Sequence, residues 1–231
     1  MPPLTVHHLG VSQSDRVVWL CEELGLDYNL QVYKRSPVLA GPDYKALHPI
    51  GAAPVIEDGS IKLAESSACL EYIAQIYGNG RFIVKPGEED YAEYLYWFHF
   101  ANATLTSTLM RIFTVKSILG KAEEGSEPQI IARFREKLGL CLETMNERLS
   151  KAPFLGGKDL TIADIMSVCS VTTLRCFQPL ELHPYPNILS WLERCAAREG
   201  YKKAVAKGDP DQDISQLISA DGPPLFGPLR A

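Results

Sequence analysis

A chain of 231 residues suits one large or two modest domains, and with 46% hydrophobic residues it can bury a sizeable core. A net charge of −5 and a sequence pI near 5.6 exclude the basic footprint of a nucleic-acid binder. No run approaches the roughly 18 apolar residues of a membrane span, and Met1-Pro2-Pro3-Leu4 lacks the charged start and apolar stretch of a secretory signal, so a cytoplasmic location is expected.

Residues 4–8 read as a short strand, and Val17, Val18, Leu20, Cys21 and Leu24 recur at helical spacing before Gly25. Residues 28–33 alternate as a second strand, and a polar, proline-containing stretch runs on to residue 50. Two short apolar runs, 53–57 and 61–64, flank Asp58-Gly59-Ser60, which signals a hairpin. Glu65-Ser66-Ser67 then opens a helix to about residue 77. Residues 78–87 are rich in Gly and Pro and mark a domain boundary. Helical periodicity dominates beyond it, over 88–119, 127–150, 161–177 and 186–199. The tail from 208 carries several prolines and glycines and is expected to be irregular, draped on the surface or partly disordered. The implied units are 1–80, 88–207 and a 208–231 tail.

The six cysteines form no C-x-x-C pair and no zinc spacing, so no metal is expected and the thiols read as small core hydrophobes. Four stretches are more informative. In Gly10-Val11-Ser12-Gln13-Ser14-Asp15-Arg16, two hydroxyls stand where free backbone N–H groups open a helix. Either serine can be an N-cap, or one can donate to an anion placed at this terminus. In Ala53-Pro54-Val55 the proline enters a strand. Its bond is either trans, as at many strand starts, or cis, exposing the backbone of residue 53 to an extended peptide. Glu65-Ser66 reads as a helix cap or as a carboxylate-binding terminus in which Glu65 accepts from the ligand's amino group. Thr161 and Asp164 have the spacing of a capping box, and Leu160 and Ile165 that of a hydrophobic staple. Those two pairs are folding elements.

Taken together, the run from Ser12 to Leu26, the His48-Pro49-Ile50-Gly51-Ala52-Ala53-Pro54-Val55 loop, the Glu65-Ser66 pair and the 155–165 stretch resemble glutathione transferases, especially fungal and bacterial ones. The resemblance covers roughly residues 4–207. It implies an α/β thioredoxin-like N-terminal domain, which binds glutathione, and an all-helical C-terminal domain, which binds the second substrate. It implies glutathione as cosubstrate, a small apolar electrophile as acceptor, and a homodimer in which one subunit's N-terminal domain packs on the partner's 88–150 helices. Some fungal relatives serve secondary-metabolite pathways.

By the same resemblance, Ser12 or Ser14 supports the glutathione thiolate, with Ser12 preferred. Gln13, His48, Ala53, Pro54, Val55, Glu65 and Ser66 surround the tripeptide, with a cis Ala53–Pro54 bond and the Ala53 backbone pairing with the cysteinyl unit. Tyr96, His99, Ala103, Met110 and Phe113, chosen by periodicity on the 94–113 helix, are candidates for the acceptor pocket, helix core being the alternative for most of them. The sequence departs from the family pattern at Ala52, where many relatives carry a lysine or another polar residue. His48, Lys34 or Arg35 can take over the glycyl carboxylate. No tyrosine ends the first strand and no cysteine occupies the following turn, which disfavours tyrosine-type and mixed-disulfide mechanisms. Addition of the thiolate to the electrophile is the leading expectation. Thiolate-assisted cis–trans isomerisation of a double bond and a non-catalytic glutathione-binding or interaction module are the alternatives.

Overall fold

The computed structural model describes residues 3–119 and 128–229. Its N-terminal part is a four-stranded mixed sheet in the order β2-β1-β3-β4, with β1 Thr5–Leu9, β2 Asn29–Tyr33, β3 Val55–Asp58 and β4 Ile61–Ala64. β1 runs parallel to β2 and antiparallel to β3. The β3–β4 hairpin pairs Asp58 with Ile61 around Gly59, whose φ of 59° is the left-handed conformation that the Asp-Gly turn anticipates. Helices α1 Asp15–Leu24 and α3 Ser66–Ile76 complete a thioredoxin-like unit, with the single-turn α2 Pro42–Lys45 between β2 and β3. Pro42 at the first helical position starts α2, which has too few residues to show periodicity.

α1 forms because Val17, Val18, Leu20 and Cys21 bury one face while Asp15 sits in the first turn. Gly25, at φ 66°, ends it, and the Leu26 N–H returns to the Cys21 carbonyl at 3.0 Å. The remaining elements are helical: α4 Tyr91–Phe100, a π-helical turn Ala101–Thr106, α5 Ser107–Leu119, α6 Gln129–Lys151, α7 Ile162–Val171, α8 Pro186–Ala196, α9 Glu199–Gly208 and α10 Ile214–Leu217. The stretch 88–119 is therefore interrupted. The end of the 161–177 run is a 3-10 turn, Thr173–Cys176, beyond Thr172. The expected start of the second long helix at residue 127 lies outside the described residues.

α9 lies beyond the last helix read from the sequence. Gly200 resembles a helix breaker, yet it is buried where a Cβ would meet the Glu23 carboxyl carbon at 2.6 Å. α9 packs along α1. Arg198 donates twice to Glu23, at 2.8 and 2.7 Å, and Lys207 reaches Glu22 at 2.6 Å.

The capping box at Thr161 and Asp164 forms. The Asp164 carboxylate accepts from Leu155 N at 2.7 Å, from the Thr161 N and hydroxyl at 3.0 Å each, and from Trp191 Nε1 at 3.0 Å, so it joins α7 to α8. All six cysteines are buried and none is bridged in a disulfide. Among the described residues no helix is long and apolar enough to cross a membrane. The tail is less irregular than its composition suggests: α10 and a 3-10 turn at 227–229 form within it. Arg175 donates to the Ser219 and Ala220 carbonyls at 2.8 Å each, holding it in place.

Candidate active site

The turn between β1 and α1 is built around Val11, a β-branched residue at φ 51°. Such a conformation costs about 1–3 kcal/mol and persists only where its surroundings impose it. Here the Val11 N–H donates to Asp209 Oδ1 at 2.8 Å, while Arg35 donates to the Val11 carbonyl at 2.7 Å and to the Gly10 carbonyl at 2.8 Å. Burial lowers the Arg35 pKa, with Asp209 opposing that shift.

This turn sets both serines. Ser14 stands at the N-cap position of α1, but its hydroxyl does not cap the helix. It is fully buried, accepts from Leu9 N at 3.0 Å and contacts His8 Nδ1 at 2.9 Å. Ser12 Oγ lies 2.7 Å from Ser14 Oγ and accepts from the Ser14 N–H at 3.2 Å. Ser12 also lines a cleft of about 440 Å³.

Leu9, Gln13, Arg35, Lys45, Gly51, Ala52 and Ala53 share that lining. Its apolar wall comes from Val38, Leu39, Met110, Phe113, Leu174 and Phe177. The Ala53–Pro54 bond is cis, and Pro54 and Val55 are buried behind Ala53. His48 is half-buried, accepts from Ile50 N at 3.3 Å and stands outside this lining. Lys34 is exposed and faces a separate groove between β2 and the tail. Of the three replacements for the missing lysine, Arg35 reaches the cleft, with three of its five N–H donors engaged by the Gly10, Val11 and Val38 carbonyls.

Glu65 precedes α3 at φ 71° and is exposed, while Ser66 is buried. Beneath them Arg16, 1% exposed, extends its guanidinium across four elements. It donates to Gln13 Oε1 at 2.6 Å, to Ser66 Oγ and Asn102 Oδ1 at 2.8 Å each, and to Ser170 Oγ at 3.2 Å. These acceptors are uncharged, and Arg16 Nε is buried without an acceptor among the described residues. Asn102 also donates to Ser66 at 3.2 Å. The buried Asp15 is a charged neighbour that acts on Arg16, and a buried cation whose hydrogen-bond acceptors are neutral favours a further anion at the nearby surface.

Met110 and Phe113 line the cleft, whereas Tyr96, His99 and Ala103 are exposed and stand outside its lining. The Ala101–Thr106 turn, which holds Ala103 itself, lies between Tyr96 and His99 on one side and Met110 and Phe113 on the other. A π turn carries one more residue than an α turn, which rotates the downstream helix by about 100° relative to a continuous one. A single periodicity drawn through 96–113 therefore cannot hold one face.

The family model described as "Glutathione S-transferase, N-terminal domain" matches residues 12–76, and that described as "Glutathione S-transferase, C-terminal domain" matches residues 108–199. A solved glutathione S-transferase from Actinobacillus pleuropneumoniae is 30% identical, with a TM-score of 0.81 over 92% of this chain and 96% of its own. The chain belongs to the glutathione S-transferase family. Glutathione S-transferase 3 of Schizosaccharomyces pombe is 29% identical over 88% of this chain and 87% of its own. Glutathione S-transferase 3 of Zea mays is likewise 29% identical, over 89% and 95%. A Phanerochaete chrysosporium glutathione transferase solved with oxidised glutathione shares the fold at a TM-score of 0.71 and 22% identity, over 90% of this chain and 95% of its own.

In this family member, several residues of the candidate site carry no sequence cue of their own. Arg16 sits inside the motif, but its contacts with Asn102 and Ser170 span 86 and 154 residues. Lys45 belongs to the short α2. His8 and Asp209 meet across 201 residues. Of these, Arg16 alone stands in a stretch with a local signal, the serine motif.

Proposed function

We propose that the protein adds the thiolate of glutathione to a small apolar electrophile, with the Ser12 hydroxyl as the thiolate's donor. The observation that carries this reading is the position of Ser12, 5% exposed, on the cleft at the head of α1 with Ser14 packed behind it. A free thiol has a pKa of about 8.5, and lowering it by two units requires roughly 2.7 kcal/mol in favour of the anion. A helix N-terminus supplies up to about 2 kcal/mol in favourable geometry. A hydrogen bond to a charged group adds about 1.5–3 kcal/mol. Together these suffice without a metal or a neighbouring base in contact with sulfur.

The same reading extends to the rest of the tripeptide. The γ-glutamyl carboxylate goes to Ser66 above the Arg16 charge, and Glu65 accepts from its amino group. The Ala53 backbone pairs with the cysteinyl unit. Lys45, on the cleft beside Ala52 and Ala53, takes the glycyl carboxylate in place of the missing lysine. Met110, Phe113, Leu174 and Phe177 hold the electrophile. The division of labour is residues 1–80 for glutathione and 88–207 for the acceptor. The active form is a homodimer, and exposed Ile61, Ile76, Leu95 and Tyr96 are candidates for its contact surface. Buried thiols without a disulfide fit a reducing, cytosolic compartment.

The test is a pH titration of the ultraviolet thiolate band of bound glutathione, paired with turnover of a model electrophile. A band titrating well below the free thiol in the native protein, displaced upward in Ser12→Ala, is expected. A band unmoved by that substitution would overturn the role of Ser12.

A further inference from the structure

Behind the cleft, four side chains from β1, the α1 turn and the tail form a continuous line. Ser12 Oγ is 2.7 Å from Ser14 Oγ, Ser14 Oγ is 2.9 Å from His8 Nδ1, and His8 Nε2 is 3.1 Å from Asp209 Oδ2. His8 and Ser14 are fully buried, while Ser12 reaches the cleft.

Counting protons along this line leaves two consistent states. A hydroxyl has one hydrogen and two lone pairs, and the Leu9 N–H occupies one lone pair of Ser14. Asp209 also accepts from the Val11 N–H through Oδ1, so it is held as an acceptor and His8 Nε2 carries a hydrogen toward it. In the first state His8 is neutral. Its Nδ1 accepts from Ser14, Ser14 accepts from Ser12, and Ser12 offers the cleft only a lone pair. In the second state His8 is an imidazolium. Its Nδ1–H fills the last lone pair of Ser14, Ser14 donates to Ser12, and the Ser12 hydrogen points into the cleft. Turning the Ser14 hydrogen to the Leu9 carbonyl at 3.3 Å leaves one of the two shorter contacts without a hydrogen.

We propose that His8, backed by Asp209, is the terminal acceptor of the glutathione thiol proton, delivered through the Ser12 and Ser14 hydroxyls. This rests on the reading that Ser12 faces the thiol. In the step, the S–H bond breaks as its proton moves to Ser12 Oγ. Ser12 passes its own hydrogen to Ser14 Oγ, Ser14 passes its own to His8 Nδ1, and the electron pair stays on sulfur. The line is thereby converted from the first state to the second, with Ser12 now donating to the thiolate. No proton enters the solvent and no other reactant is needed. His8 does not touch glutathione; it is a positioning residue that acts through two hydroxyls.

The surroundings of His8 suit a transient cation. Its ring lies against Gly208 at the C-terminal end of α9, where a helix favours positive charge, and a Cβ at Gly208 would stand 3.0 Å from Nε2. Asp209 is the charged group in contact with the ring, and Arg35 and Asp15 act on Asp209 from opposite signs.

The test counts protons per thiolate formed. Glutathione is titrated into the native protein at about pH 7.5, below the free thiol's ordinary pKa. Calorimetry in buffers of different ionisation enthalpy gives protons released, and ultraviolet absorbance gives thiolate formed. S-methylglutathione, which has no thiol proton, supplies the background to subtract. About zero protons released per thiolate is expected if the line ends on His8, and about one would overturn the proposal. Asp209→Asn keeps an acceptor for Val11 while removing the charge. It should raise the thiol's titration by about one unit and move the ratio toward one, whereas a merely structural residue would lower the melting temperature and leave the ratio alone. An unchanged ratio and titration in Asp209→Asn would remove Asp209 from the line. Ser12→Ala separates the two readings. If it moves the titration while the native ratio is one, only the relay fails. If it leaves the titration in place, the serine assignment fails with it.

Discussion

The guanidinium of Arg16 donates to the Ser66 hydroxyl at 2.8 Å, so the first turns of α1 and α3 meet over one buried positive charge. The same group reaches Asn102 in the π turn and Ser170 in α7. The floor of the expected γ-glutamyl site and the junction between sheet and helices are one structure.

Arg16→Met should therefore lose both stability and affinity. At least two buried polar groups lose their partner, at about 1–3 kcal/mol each, so a cost of roughly 2–4 kcal/mol is expected in denaturant melts. Arg16→Lys should rescue little, because an ammonium cannot reproduce a planar fork that reaches several acceptors at once.

Ser66→Ala removes a donor to the ligand carboxylate but leaves the Arg16 charge in place. Glutathione binding should weaken by roughly tenfold or more, with little change in the pH dependence of turnover. Calorimetric titration checks this, and an unchanged dissociation constant would place the γ-glutamyl end elsewhere.

Each serine carries its own expected outcome. Ser12→Ala should raise the bound thiol's titration by about one to two units, and it also strands the buried Ser14 N–H that Ser12 accepts at 3.2 Å. Ser14→Ala leaves the buried Leu9 N–H without its acceptor and should cost about 1–3 kcal/mol in thermal or denaturant melts. A Ser14→Ala melting curve matching the native one would mean that the Leu9 N–H finds another acceptor.

Burial lowers the pKa of His7, although Glu57 pulls the other way. The folded chain therefore resists a proton that the unfolded chain accepts, and the unfolded state binds more protons as pH falls below about 6.5. His7 thus costs no stability above that value, and its penalty grows as pH falls through the folded pKa. Denaturant melts between about pH 7.5 and 5.5 should show a steeper loss in the native chain than in His7→Gln.

Asp164 accepts four hydrogen bonds in a fully buried position. Asp164→Ala strands those donors and should cost about 3 kcal/mol or more. A loss below 1 kcal/mol, roughly one hydrogen bond, would mean that the donors find other partners.

The sheet was legible because its cues are local. Asp58-Gly59 fixes the hairpin, period-two runs bound it, and Gly25 ends α1. The capping box was legible for the same reason: Thr161 and Asp164 are three residues apart. Ser12, Gln13 and Ala53 fall on the cleft because a helix start and a strand entry are short features with fixed geometry. The features that were not legible depend on partners distant in the chain or on phase. Gly200 looks like a breaker until Glu23 is seen against it. Tyr96 shares a face with Phe113 only if the helix between them is continuous, and the π turn removes that continuity. Nothing near Asp209 announces that it will hold the Val11 amide.

The bond from Val11 to Asp209 spans 198 residues and so sets an order of events during synthesis. At about 5–20 residues per second, the nascent β1–α1 turn waits roughly 10–40 s before the residue that holds it leaves the ribosome. Through that interval Val11 has no Asp209 to impose its left-handed backbone, and the β1–α1 turn lacks one of its two anchors. A ribosome-stalled chain ending near residue 205 would thus present the sheet and most of the helices with the thiol site unset. Activity should appear late and abruptly, when the last segment docks, rather than growing with chain length.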